Sequence, residues 1–159
     1  MRSHHNLGQR GLNKWNVIGS ASLLTLLLMP LAASAKPAST SAKIDATLES
    51  CTQKMDSTLD IVGCYQQATE SWDKVLNEQY RILMAGNDTK AKSELRAAMR
   101  AWLLYRDKYN VAIEGFYQQQ QGTIWQITAA QAKMNVVRDK ARALLQLNQS
   151  LHLEGEGEQ

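Results

Sequence analysis

Cys51 and Cys64 stand 13 residues apart and are the only cysteines in the 159-residue chain. On one continuous helix their Cα atoms would lie roughly 20 Å apart, at about 1.5 Å of rise per residue. A disulfide requires them within about 7 Å. A bridge therefore forces the chain to double back inside "CTQKMDSTLDIVGC". "KMDST" supplies the turning point, because Ser57 can cap a new helix and Asp60 falls at its N3 position. In the chain-entropy picture the closed loop contributes on the order of 3 kcal/mol. That is a large share of a small domain's stability.

Whether such a bridge forms depends on the compartment, and the N-terminus speaks to that. "MRSHHNLGQRGLNKWN" carries Arg2, Arg10 and Lys14 and no acid. "VIGSASLLTLLLMPLA" follows, apolar but short and interrupted by Pro30, and "ASA" at Ala33–Ala35 offers the small residues of a cleavage site. These are the n-region, h-region and A-x-A site of a secretory signal peptide, residues 1–35. With no cysteine at the cut, a lipid anchor is not expected there, and no membrane anchor remains after cleavage. An even cysteine count in an exported chain favours a disulfide over a metal or redox site. Removing Arg2, Arg10 and Lys14 leaves 15 Lys and Arg against 15 Asp and Glu. The exported chain, 36–159, is thus formally neutral, and the pI of 8.9 belongs to the precursor. No basic patch argues for nucleic acid. The length fits one domain with a modest core.

The hydrophobic spacing predicts helices throughout. Residues 36–42, "KPASTSA", read as a flexible leader. A short helix is expected from Lys43 to about Lys54, with Ile44, Leu48, Cys51 and Met55 on one side. A second runs from Thr58 to about Ala85, carrying Trp72, Leu76, Tyr80 and Leu83 at helical spacing. "GND" at Gly86–Asp88 ends it and caps a third from Thr89 to Tyr117, where Leu95, Met99, Trp102, Tyr109, Ile113 and Phe116 keep the period. "QQQQG" at Gln118–Gly122 reads as a loop. Thr128 and Gln131 form a capping box that would open a fourth helix running through Met134, Val137, Ala141, Leu144 and Leu145 to about Leu151. Residues 153–159 read as an acidic, Gly-rich tail too polar to fold. No proline follows Pro37 and no strand pattern appears. The expected fold is all-α: a helical domain over 43–152, with three long helices as antiparallel neighbours and a short disulfide-pinned first helix.

The inventory of reactive groups argues against an enzyme. His4 and His5 lie in the leader and His152 near the tail, so the folded region lacks the usual general base. Both cysteines are consumed by the bridge, no Gly-rich phosphate loop is present, and no acidic cluster has metal-ligand spacing. The chain calls for no cofactor. Asp73 and Asp107 are candidates for carboxylate-pair hydrolysis by elimination only.

"RAWLLYRDKYN", Arg100–Asn110, is the densest stretch of polar and aromatic residues. Trp102 and Tyr109 are expected on the buried face, with Arg106 one turn beyond Trp102 on the same stripe. An arginine there needs a partner, since an unpaired buried charge is costly. Asp73 on the preceding helix and Asp107 beside it are the candidates, with Asn77 adding hydrogen bonds. The arrangement reads first as a polar clasp that fixes helix register, and second as a contact for a partner.

These segments resemble the LprI-type lysozyme inhibitor family, a small exported helical domain. Its pattern is an early cysteine pair, then Asp-x-x-Leu-Asn-x-x-Tyr, then Leu-Arg-x-x-Gln-x-x-Trp-x-x-Tyr-Arg-Asp. Here they read as Cys51 and Cys64, then Asp73, Leu76, Asn77 and Tyr80, then Leu95, Trp102, Tyr105, Arg106 and Asp107. Met99 stands where the family usually has Gln. The family usually carries a second cysteine pair, and its places here look like Asn110 and Ala132. The resemblance implies a protein partner, lysozyme, bound in the bacterial envelope without catalysis. It does not name a lysozyme class or an oligomeric state. The competing expectation is a periplasmic chaperone-like or stress-response module that binds other proteins. "ITAAQ" resembles the Leu-Thr-x-x-Gln motif of small helical chaperones, although a capping box accounts for it equally well. A large exposed apolar patch would favour that second reading; a polar-rimmed protrusion would favour the inhibitor.

Overall fold

Each helix start is written in short polar side chains. Ser39, Ser57 and Asp88 each accept a hydrogen bond from the backbone N–H three residues on, at Ala42, Asp60 and Ala91. The Ser57 hydroxyl also donates to Asp60 Oδ2 at 2.6 Å. The computed structural model describes residues 39–153, and these caps open α1 (Thr40–Lys54), α2 (Thr58–Gly86) and α3 (Thr89–Gln118), followed by α4 (Ile124–Leu153). Among the described residues there is no strand. The expected leader at 1–35 lies outside them, as do 36–38 and 154–159.

Two boundaries differ from expectation. The leader was expected to reach residue 42, but Ser39 caps α1 so that Thr40 is already helical. The fourth helix was expected from Thr128, yet α4 starts four residues earlier, at Ile124. Thr128 sits inside it and turns its hydroxyl back to the Ile124 carbonyl at 3.0 Å. Threonine makes that bond readily within a helix, so a capping signature in sequence does not by itself place the cap.

The disulfide is present, and with the Cys51 and Cys64 Cα atoms 5.8 Å apart it folds α1 back along α2. Ile44 and Leu48 of α1 lie against the core, although no α1 residue is fully buried. The core itself is a seam between α2 and α4. Ala68, Trp72, Leu76 and Leu83 on α2 meet Met134, Val137, Ala141 and Leu144 on α4. Their spacings of three, four and seven keep each set on one helical stripe.

That pairing corrects the expected arrangement. α2's main partner is α4, not its chain neighbour α3. Contacts advance in the same direction along both helices. The Arg142 guanidinium lies 5.0 Å from the Trp72 ring centre, and further on Asn148 donates to Gln79 Oε1 at 2.9 Å. α3 runs the opposite way along α4, with Glu114 meeting Lys133 and Tyr117 stacking on Trp125. It touches α2 only sparingly, because it lacks a second apolar stripe on that side. Of its 30 residues only Met99 and Ile113 are fully buried.

Replacing both cysteines with serine should lower stability by about 3 kcal/mol, read from chemical denaturation; an unchanged midpoint would show that α1 is held by packing alone. Trp72→Ala should cost about 3–5 kcal/mol, because Trp72 is 0% exposed. Trp102→Ala should cost distinctly less, since that ring is only half-buried. Equal losses in the same denaturation series would mean that α3 is packed as tightly as α2.

Candidate functional site

Because α3 leans on α4 and stands away from α2, a groove opens between α2 and α3 with α4 as its floor. Its volume is about 1010 Å³. The floor is made of small and apolar residues, Ala129, Ala130 and Val137. The walls are mainly polar: Gln66, Thr69 and Asp73 on α2 face Arg106, Asp107 and Asn110 on α3, with Leu59 and Val62 adding apolar surface at the start of α2. α3 lines this space with positions spaced at three and four, which puts them on one side of the helix.

The electrostatics inside the groove are mostly local. Arg106 donates to Asp107 Oδ1 from Nε at 2.9 Å and from Nη2 at 2.8 Å, and its guanidinium lies 5.5 Å from the Trp102 ring centre. Asp73 instead accepts from Asn77 Nδ2 at 2.8 Å, within its own helix. Of the two partners foreseen for Arg106, the adjacent Asp107 takes the charge. No ion pair joins Arg106 to Asp73 among the described residues, so register between α2 and α3 is not fixed there. The ion pair that does cross the groove joins Glu114 to Lys133 on α4. Partial burial pushes the Lys133 ammonium below its usual pKa, because desolvation disfavours the charged form. Asn110 Oδ1 is buried and has no hydrogen-bond partner in the protein.

A second, aromatic surface lies on the other flank of the α3–α4 contact. Trp102, Tyr105 and Tyr109 line a cleft of about 520 Å³ with Ala132, Asn135 and Val136 of α4. Tyr105 and Tyr109 stack with ring centres 5.4 Å apart. Tyr109 was expected on the buried face but is 46% exposed, and Tyr105 is 54% exposed. The physical reason is that α3 packs on one helix rather than two, so half of its apolar positions have nothing to cover them.

The residues singled out from sequence therefore divide. Leu76 is buried in the core, with Leu95 and Tyr80 packed against it half-exposed. Asp73, Arg106 and Asp107 share the polar groove. Trp102 and Tyr105 turn to the aromatic cleft, and Asn77 is exposed. Sequence reasoning missed Glu114 and Lys133. The sequence carries no clear signal for this pair, since Glu114 lies four residues before the end of α3 and Lys133 nine residues after the start of α4. Among the described residues no group of three His, Cys, Asp or Glu could hold a metal ion. No described helix is long and apolar enough to cross a membrane.

Comparisons with known proteins agree with this architecture. A family model described as "Lysozyme inhibitor LprI" matches residues 49–144. That span begins just before Cys51 and ends at Leu144, the last core residue of α4. A solved structure, an uncharacterized protein from Burkholderia thailandensis, is similar with a TM-score of 0.62 and 24% identity. The likeness covers 72% of this chain and 54% of that one, so the chain spans about half of the longer protein. At that identity it is a likeness of fold. No curated protein matches the chain.

A double-mutant cycle should find about 0.2–1 kcal/mol of coupling between Arg106→Ala and Asp107→Ala. The same cycle between Arg106→Ala and Asp73→Ala should find none, measured by denaturant unfolding. Stronger coupling to Asp73 would restore the interhelical clasp.

Proposed function

The chain belongs to the lysozyme inhibitor LprI family, and from that premise we propose an exported, non-catalytic protein that binds lysozyme and occludes its cleft. The observation that carries this is the extent of the family match, which takes in the disulfide hairpin, the α2–α4 seam and most of α3 and α4. The residues fit a binding role better than a catalytic one. Histidine is absent from the span 51–144, and three of the groove's carboxylates, Asp73, Asp107 and Glu114, are engaged by Asn77, Arg106 and Lys133. An inhibitor of a glycosidase acts by covering the pair of carboxylates that performs hydrolysis. The signal-like residues 1–35 support delivery to the bacterial envelope, periplasmic or secreted, where such a target would be met.

Formal neutrality of residues 36–159 sets how the encounter would proceed. A neutral surface gains little long-range attraction to a basic lysozyme, so affinity rests on short-range contacts. The alternative reading, a chaperone-like module for other envelope proteins, draws on a specific observation. α3 carries Leu104, Val111 and Phe116 at 62%, 70% and 73% exposure, and large exposed apolar patches mark interaction sites.

The rate of cell-wall lysis by several lysozyme classes, with oxidised residues 36–159 titrated in, separates the two. Saturable inhibition of at least one class near one-to-one stoichiometry is expected, with only weak dependence on salt. Failure against every class, with the disulfide and helix content verified, would move the function to protein holding.

A further inference from the structure

α3 carries an apolar face on its outer side, turned away from the polar groove and taking in Tyr105 and Tyr109 at the edge of the aromatic cleft. Ten positions between Ala97 and Phe116 lie on one arc of the helix, and every one of them is exposed. All but Lys108 are apolar or small. The face spans about 30 Å, at about 1.5 Å per residue. Tyr105, Tyr109 and Phe116 are 54%, 46% and 73% exposed. At roughly 200 Å² per aromatic side chain they alone leave on the order of 350 Å² in water. That is already a large patch for a monomer. With Leu104 and the intervening small residues, the face approaches the roughly 800 Å² per partner of a standard interface.

The order of residues along this face is self-complementary. The ten positions are spaced so that they read the same from either end. Laid antiparallel on a second copy, Ala97 falls opposite Phe116, Ala98 opposite Gly115 and Ala101 opposite Ala112. At the centre Leu104 meets Tyr109, and Lys108 meets Tyr105. At each end Phe116 thus faces Ala97, and the small pairs Ala98–Gly115 and Ala101–Ala112 let the backbones approach. The one charge on the face lands against an aromatic ring, which attracts a cation, rather than against its own copy. An isologous two-fold interface requires this property, that one patch complement itself. The even spacing is what one arc of any helix gives; what this sequence adds is the pairing of Phe116 with Ala97 and of Lys108 with Tyr105.

We propose that the outer face of α3 is a homodimer interface in which two α3 helices pair antiparallel about a two-fold axis near residues 106 and 107. The dimer leaves the polar groove between α2 and α3 open on each protomer, since the groove lies on a different side of α3. It rests on the placement of these residues and not on the inhibitor reading.

The test is sedimentation equilibrium of oxidised residues 36–159, which contain the whole compact unit from Pro37 onward. The expected result is a reversible, concentration-dependent dimer. Ala101→Glu, which would bury a charge without a partner, should raise the dissociation constant by about 100-fold or more, while Ala101→Ser should change it little. At a concentration where the parent is monomeric, circular dichroism should show both variants as helical and as heat-stable as the parent, because position 101 is solvent-exposed in the monomer; where the parent is dimeric, Ala101→Glu should melt lower. A monomer at all accessible concentrations would overturn the proposal, as would a dimer indifferent to Ala101→Glu. A monomer whose binding to lysozyme or to an unfolded client is lost on Ala101→Glu would also overturn it, assigning the face to that protein. Lysis assays on the same variants keep the outcomes apart: a monomeric Ala101→Glu that still inhibits supports the dimer and the inhibitor reading together.

Discussion

One contact joins three of the four helices. Trp72 of α2 is fully buried, and the Arg142 guanidinium of α4 sits 5.0 Å from its ring centre. The same arginine donates to Asp45 of α1 at 2.6 Å. A cation held over an aromatic face and paired with a carboxylate has both its charge and its planar stem satisfied. Trp72 thereby lies under α4, and α1 is tied to the same point by charge as well as by the disulfide. The indole N–H finds no acceptor, so the site accepts a polar cost in order to bury the ring's large apolar area. Once α2 is committed to α4 along this seam, little of its surface is left for α3.

The grooves follow from that commitment. α3 packs on α4 through Met99 and Ile113, the Glu114–Lys133 pair and the Tyr117–Trp125 stack. A helix held on one side presents two flanks. On the flank toward α2 it carries Arg106, Asp107 and Asn110, which give the gap a polar wall. On the other it carries Trp102, Tyr105 and Tyr109. The stretch "WLLYRD" reads as a single motif along the chain, yet it feeds two chemically opposite surfaces because adjacent residues on a helix point about 100° apart. A motif can therefore be the signature of a family without marking a single site.

Much of the fold was legible in the sequence, for identifiable reasons. The cysteine spacing demanded a turn, Ser57 and Asp60 located it, and the apolar periods of α2 and α4 named Trp72, Leu76, Met134 and Val137 as core. What could not be read was which helices would pair. A helix with an apolar stripe advertises that it will be buried, not against what, and short connections favoured α2 with α3 where packing chose α4. The same gap misplaced Tyr109: its period matched burial, but burial needed a second neighbour that α3 does not have. Arg106 had two carboxylates within reach in prospect, and the nearer, Asp107, required no interhelical approach. The start of α4 was misread because a threonine hydroxyl bonds equally well to a preceding carbonyl inside a helix or to an N–H at its start.

The places that resemble the family's second cysteine pair bear on how α3 behaves. Ala132 lines the aromatic cleft together with Tyr109, the residue adjacent to Asn110. A disulfide between positions 110 and 132 would staple α3 to α4 in the halves nearer their connection. In this chain Asn110 instead holds a buried oxygen without a protein partner, and α3 is kept by one ion pair, one aromatic stack and two fully buried side chains. Each of those contacts is worth about 1 kcal/mol or a few, less than the covalent link they stand in for. The separation of α3 from α2 is consequently the softest dimension of the fold, and it is the dimension that sets the width of the polar groove. The α2–α4 seam carries the stability, which leaves the polar flank of α3, and the apolar face that includes Tyr105 and Tyr109, uncovered by the rest of the described chain.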